Sequence, residues 1–397
     1  MYFLKIQNAT VVTPASVLPH TDLWIGDGKI LGIGDCDGKG TPDEVLDAAG
    51  NYLLAGFIDL HVHGGGGADF MDATPEAFET VVRAHLDHGT TLLYPTAMSA
   101  RHDALCRFLR AFLDFSENSA FAKLTPGVHL EGPYFFGADK RSCGAQNASV
   151  LRLPDMEEVE TLLALSKGSI LRWDASPELE GVDEFAARMC KDHIVCSVAH
   201  TDATAAQTLA SFDWGFSHVT HFYNAVSSHR KREQTVYAGV VEATYLNDDV
   251  TVELIGDGCH IPREDMLLAL KIKGAEKVSV ITDGTRISGT DLKFGKLGSL
   301  GEGTDVMVEN GVAKLMDRSA FAGSIATMDR CLRVICADYG IDLPTASVML
   351  SLAPAKRMGV EQTKGSIAVG KDADLVLVSP DFAIQKVLVG GKIMVEK

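Results

Sequence analysis

The sequence predicts an α/β protein, a (β/α)8 TIM-type barrel with a small β-sandwich domain formed from both chain ends. Three observations carry this. Eight short apolar, β-branched runs alternate with helical patterns through the middle of the chain. Both ends carry short alternating apolar runs broken by turn signals. Histidines and carboxylates collect where the central runs end.

From Ile6 to Leu46 the alternating runs are interrupted by Asp27-Gly28 and Asp37-Gly38, the pattern of a small antiparallel unit. The stretch from Gly365 to Val378 and the run Val387-Leu388-Val389-Gly390-Gly391-Lys392 read the same way, so both ends are expected to pair into one satellite. The expected division is residues 1–54 and 357–397 for the satellite and 55–356 for the barrel. Within the barrel, strands are expected near 53–60, 91–96, 127–131, 169–175, 194–199, 216–221, 250–255 and 277–282. The first intervening helix begins at Pro75, carries Phe78, Val81, Val82 and Leu86 on one stripe, and ends at Gly89.

A chain of 397 residues, 46% hydrophobic and 22% charged, can bury a large core with an appended domain. The start, Met1 to Asn8, lacks a basic segment leading into a long apolar stretch, and nowhere do about eighteen apolar residues run together, so a soluble cytoplasmic protein is expected. A net charge of -17 disfavours nucleic acid and anionic membranes as partners, and an anionic small molecule would need a locally positive pocket. The eight cysteines show no CxxC spacing; Cys331 and Cys336 share an apolar helical face with Met328, Leu332 and Ile335 and read as reduced core residues.

The chemistry begins at Asp59-Leu60-His61-Val62-His63-Gly64. Alternation along a strand projects both imidazoles from one face, at the junction with a flexible loop. Alone, such a pair is also consistent with two solvated histidines. Further groups fall at the carboxyl ends of other expected strands, where this architecture builds active sites: Glu131 on the third, His200 on the fifth, His221 on the sixth and Asp283 on the eighth. Singly, Glu131 before Gly-Pro could cap a turn, Asp283 before Gly could form an Asx turn, and His200 could be a satisfied core histidine. Together they form one set of imidazoles and carboxylates without thiolate, which suits zinc, iron, manganese or cobalt, zinc being the default for hydrolysis. His20, His85, His88, His102, His193 and His229 fall in loops or helices and are left outside the set; His129 and His218 lie inside strands and read as core or supporting groups. Gly64 to Gly67 lacks the following Gly-Lys-Ser/Thr of a phosphate cradle and reads as room for backbone near the metal site.

The chain resembles the amidohydrolase superfamily and, within it, the N-acetylglucosamine-6-phosphate deacetylases, nearly end to end. The resemblance is carried by Gly56-Phe57-Ile58-Asp59-Leu60-His61-Val62-His63-Gly64-Gly65, His129-Leu130-Glu131-Gly132-Pro133-Tyr134, Ala199-His200-Thr201-Asp202-Ala203, Thr220-His221-Phe222-Tyr223-Asn224-Ala225, Asp257-Gly258-Cys259-His260, Thr282-Asp283-Gly284 and Ala322-Gly323-Ser324. It implies that Glu131, His200 and His221 hold one divalent metal, and that His61 and His63 permit a second, with Glu131 shared and Asp283 nearby. Asp283 would act as general base and then general acid, and His260 would contact substrate and stabilise the developing oxyanion. Asn224 and Ala225 match phosphate-contacting positions, and Gln146 a substrate-contacting one. Arg232 matches an arginine that reaches phosphate across a dimer interface, so a homodimer is implied.

The chain departs from this pattern after Asn224-Ala225, where His229-Arg230-Lys231-Arg232-Glu233-Gln234 lacks the usual Pro-Gly, and between Tyr134 and Gly144, where Cys143 is inserted before Gly-Ala-Gln. Strand four, Ile170-Leu171-Arg172-Trp173-Asp174-Ala175, lacks the lysine ligand of cyclic-amide hydrolases. The implied reaction is hydrolysis of the acetamide of N-acetylglucosamine 6-phosphate. Two alternatives are a deacetylase for an epimer such as N-acetylgalactosamine 6-phosphate and a catalytically inactive sugar-phosphate sensor, the latter disfavoured by Asp283.

Overall fold

The computed structural model describes residues 2–34, 40–138 and 140–397. Its centre is a sheet of eight strands in chain order: Phe57–Val62, Thr90–Ala97, Val128–Tyr134, Ile170–Ala175, Val195–Val198, Phe216–Val219, Thr251–Ile255 and Val278–Ile281. Every pairing within it is parallel. The first and last strands also meet, through a parallel bridge between Val62 and Gly284 and a 3.0 Å hydrogen bond from the Asp283 amide to the His61 carbonyl. Parallel strands are covered on both faces, which is why they read as continuous apolar runs: all eight residues of Thr90–Ala97 are buried.

Helices cover the outside. Pro75–Leu86 takes Thr74 as its N-cap, whose side chain accepts from the Ala77 amide, and buries Phe78, Val81, Val82 and Leu86 as its periodicity predicts. It also buries His85, one of the histidines outside the expected metal set. The face with Cys331, Leu332 and Ile335 is buried as expected, although the α-helix Met328–Arg333 passes into a wider turn over Val334–Asp338 and leaves Cys336 only half-buried.

The expected strand at 53–60 is two strands. Tyr52–Ala55 pairs with Leu375–Val378 in a different sheet, and Phe57–Val62 begins the parallel one. Gly56 is the junction; its amide donates to the Asp374 carbonyl, and Thr91 packs where a Cβ would stand, so the chain changes sheets at a residue without a side chain. That second sheet draws on both chain ends, in the order Lys392–Glu396, Ile384–Val389, Leu375–Val378, Tyr52–Ala55, Phe3–Val12, Val17–Gly26, Lys29–Ile33, with Glu44–Asp47 also on Phe3–Val12. Leu4, Ile6, Leu23, Ile25, Leu53, Leu375 and Leu388 form its apolar core. Asp27-Gly28 makes the hairpin turn the sequence signalled, both residues having positive φ, whereas Asp37-Gly38 lies outside the described residues.

Two elements were not anticipated. A three-stranded antiparallel unit, Phe294–Leu297, Thr304–Glu309 and Val312–Leu315, follows the eighth parallel strand, and a short hairpin pairs Arg230–Arg232 with Thr235–Tyr237. Among the described residues no helix is long and apolar enough to cross a membrane, and the seven cysteines among them are all unpaired.

Candidate metal centre and active site

Two groups of side chains share Glu131. His61, His63 and Glu131 form one, and Glu131, His200 and His221 the other; every member is buried. Glu131 Oε1 lies 3.0 Å from His200 Nε2 and 3.1 Å from His221 Nε2, while Oε2 lies 3.4 Å from His63 Nε2. The residues arrive from the ends of parallel strands, and the backbone there is unusual: His200, His221 and Asp283 have φ of 45°, 28° and 48°. Non-glycine residues in the left-handed region concentrate at functional sites, where surrounding structure holds a conformation the residue disfavours. Gly132, with φ of 87°, has Ser99 Oγ and the Phe135 ring where a Cβ would be, so only glycine lets the chain turn just after Glu131.

The ring orientations are fixed from outside. His61 Nδ1 is 2.8 Å from Glu253 Oε1, His63 Nδ1 3.2 Å from the Thr96 carbonyl, His200 Nδ1 2.8 Å from the Ser142 carbonyl and His221 Nδ1 3.0 Å from the Asn224 carbonyl. Each outer partner only accepts, so each Nδ1 carries a proton and donates, which turns the Nε2 of every ring inward, where an unprotonated Nε2 is a metal-binding lone pair. Inside, His61 Nε2 and His63 Nε2 stand 3.1 Å apart, and His200 Nε2 and His221 Nε2 3.2 Å apart. Two acceptors that close need a cation or an extra proton between them. The donor set, four imidazoles around one carboxylate, fits a divalent metal on this ground. The carboxylates impose the same demand electrostatically: burial pushes the His63 and His221 rings down, but Asp283 and Glu131 outweigh it and hold both up at about 9. Burial would raise Glu131 and Asp283, yet the surrounding imidazoles keep both below the usual carboxylate range.

A cavity of about 190 Å³ opens over this cluster. Asp283 lines it, with Oδ1 3.2 Å from His63 Nε2 and 3.6 Å from His61 Nε2. Gln146 lines it too, its amide nitrogen 2.8 Å from Glu131 Oε2 and its oxygen accepting from the Ser99 amide. His260, Asn224 and Ala225 complete the part of the wall that the sequence singled out. His260 is oriented by Asp257, whose Oδ2 is 2.8 Å from Nδ1 and whose Oδ1 accepts the amides of Cys259 and His260. Asn224 Nδ2 is buried without a hydrogen-bond partner among the described residues. The backbone of Arg232 ends one strand of the exposed hairpin, and its side chain, on which the expected phosphate contact depends, lies outside the described residues.

The amidohydrolase family model matches residues 52–394. The chain belongs to the amidohydrolase family. It is 32% identical to an N-acetylglucosamine-6-phosphate deacetylase of Bacillus subtilis, over 98% of this chain and 96% of that one. It is 27% identical to an N-acetylgalactosamine-6-phosphate deacetylase of Escherichia coli O157:H7, over 96% of this chain and 97% of that one. Among solved structures it superposes with a TM-score of 0.89 on a mutant N-acetyl-D-glucosamine-6-phosphate deacetylase of Mycobacterium smegmatis in complex with N-acetyl-D-glucosamine-6-phosphate, at 29% identity and covering 99% of each chain.

In this amidohydrolase the layer behind the cluster was not legible in the sequence. Arg172, from the fourth parallel strand, is fully buried; its guanidinium bonds Glu253 at 2.5 and 2.9 Å and Asp174 Oδ1 at 3.1 Å. Asp174 Oδ1 is in turn 2.9 Å from His129 Nε2, and Glu253 Oε2 is 3.3 Å from His218 Nε2, so the two histidines inside strands are supporting groups. Burial would raise Asp174, but Arg172 holds it down at about 2, and Glu253 is held well below its usual range by Arg172 and His61 against the same penalty. Asp59 accepts the Thr282 hydroxyl at 2.5 Å and ties the first strand to the eighth beneath the cluster. The one sequence signal for this layer is a charge inside an apolar run, as in Leu171-Arg172-Trp173 and Val252-Glu253-Leu254.

Proposed function

We propose that this amidohydrolase hydrolyses the acetamide of N-acetylglucosamine 6-phosphate, releasing glucosamine 6-phosphate and acetate. The observation that carries the reading is the pair of triads sharing Glu131 with Asp283 beside them in one cavity, in a chain similar end to end to deacetylases of this substrate.

Glu131, His200 and His221 would hold one divalent ion, zinc by the donor chemistry, and His61 and His63 a second through the shared Glu131. When bound, such an ion polarises the amide carbonyl and acidifies water. Asp283, ionised and against the cluster, takes the proton of the attacking water as general base. It then delivers that proton to the departing nitrogen, which leaves as an amine rather than an amide anion. His260, steered by Asp257, donates toward the oxygen on which charge develops. Gln146 holds the sugar beside Glu131, and Asn224 with Ala225 meets the phosphate. The finer architecture of this reading is a closed barrel over 55–356 with a sandwich from 1–54 and 357–397. The enzyme works in the cytoplasm as a homodimer, Arg232 reaching the partner's phosphate.

The galacto epimer is the second reading, supported by the similarity to the Escherichia coli enzyme. Zinc-loaded protein is incubated with N-acetylglucosamine 6-phosphate, N-acetylgalactosamine 6-phosphate and unphosphorylated N-acetylglucosamine, and acetate is quantified. The highest kcat/KM on the first supports the proposal, preference for the second replaces it with the epimer, and binding without acetate from any leaves a sensor.

A further inference from the structure

We infer that Arg141 supplies, from within the same chain, a positive charge that holds the substrate phosphate where the metal cavity opens into its neighbour. This rests on the proposed substrate being phosphorylated. Among the described residues lining the metal cavity, Arg141 alone carries a guanidinium or ammonium group; Glu131 and Asp283 supply negative charge to the same wall. Arg141 and Ala225 also line the adjoining cavity, whose wall carries His229 and Arg230. The boundary between the two spaces is therefore marked by Ala225 and by Arg141.

Backbone contacts place the segment that carries Arg141 beside the cluster. Arg141 lies on the short helix Lys140–Cys143. The carbonyl of the next residue, Ser142, faces His200 Nδ1 at 2.8 Å, which anchors the segment to the metal cluster. Three residues on, Gly144 has His200 and Ala225 as neighbours: a Cβ there would stand at ordinary contact distance, 3.4 Å from His200 Cε1 and 3.7 Å from Ala225 Cβ. The segment carrying Arg141 is thus held to His200 and runs beside Ala225.

Position favours Arg141 over its neighbour. Arg230 lines the adjoining space and is not among the described residues lining the metal cavity, whereas Arg141 lines both. A chain of net charge -17 repels a phosphate dianion at long range, so a local cation decides whether the dianion enters. A guanidinium presents two parallel donors that match two phosphate oxygens. The buried, unpartnered Asn224 Nδ2, in the same wall, is a further donor for an oxyanion.

The test compares wild type, Arg141→Met and Arg141→Lys, all zinc-loaded, on N-acetylglucosamine 6-phosphate and on unphosphorylated N-acetylglucosamine, with inorganic phosphate as competitive inhibitor. Expected for Arg141→Met is a KM for the phosphorylated sugar raised roughly 10- to 100-fold, the size of losing a charged hydrogen bond. The KM effect on the unphosphorylated sugar is several-fold smaller, inhibition by phosphate weakens in parallel, and Arg141→Lys recovers part of the loss. An equal loss on both sugars, or a wild-type-like KM and phosphate inhibition in Arg141→Met, overturns the assignment while leaving the proposed function standing. A wild type without preference for the phosphorylated sugar overturns both.

Discussion

His61 and Glu253, 192 residues apart in the chain, meet at 2.8 Å between Nδ1 and Oε1, and through that contact the metal cluster rests on a fully buried ion network. Glu253 also binds Arg172, and its Oε1 accepts the His221 amide at 3.2 Å, so one carboxylate positions a member of each triad. A histidine that loses such an outer partner keeps its place in the fold but loses its fixed tautomer and some basicity.

Glu253→Gln is accordingly expected to lower metal affinity by about 10- to 100-fold. Titration of the apo-protein with zinc against a competing chelator reads this directly. Affinity equal to wild type would show that His61 needs no anionic partner.

Arg172 is the counter-charge of two buried carboxylates. Arg172→Met leaves Asp174 and Glu253 uncompensated, and breaking a buried pair in this way costs about 3–5 kcal/mol. A urea midpoint unchanged from wild type would contradict that account. A triple variant that also makes Asp174 and Glu253 neutral should recover part of the loss.

Asp283→Asn keeps the size of the side chain and removes its capacity to take a proton. The expected result is a kcat lower by about 10²- to 10⁴-fold, with zinc still bound by the protein as counted by elemental analysis. Wild-type turnover in this variant would assign the proton transfer elsewhere.

Sharing of Glu131 makes a prediction about metal stoichiometry. Glu131→Ala should deplete both positions, whereas His63→Ala should spare the position at His200 and His221. Metal per chain after dialysis distinguishes the two, and chelation of wild type should abolish acetate release until a divalent metal is returned. A Glu131→Ala protein that keeps its full metal complement would refute the shared-ligand arrangement.

Three histidines are buried in neutral form. Burial takes His85, His129 and His218 from the usual 6.5 down to about 4. Between pH 6.5 and 4 the unfolded chain therefore binds protons that the folded one refuses. Their contribution to stability is complete above pH 6.5 and is lost as pH falls toward 4, by about 1.4 kcal/mol per pH unit for each group. His85 Nε2 faces the Gly64 carbonyl at 2.9 Å, a contact a glutamine amide can make. His85→Gln should flatten the urea-unfolding pH profile by about one proton in this window; an unchanged slope would place the titration elsewhere.

The primary structure alone determined the parallel sheet, the union of both chain ends and the identity of the groups in the cluster. Each of those depends on short-range pattern: period and β-branching for the strands, and polar residues at strand ends for the site, as with His61, Glu131 and Asp283. It misplaced the strand at 53–60 because Tyr52–Ala55 and Phe57–Val62 have the same apolar character, and only pairing partners distinguish two sheets separated by one glycine. Tertiary structure alone decided the supporting layer. Arg172 and Asp174 share one strand and Glu253 sits on another, 81 residues beyond Arg172, and nothing local to either strand announces the other. Their charges are tolerable in the interior only as a compensated set, and that compensation exists only once the strands are brought together in one sheet.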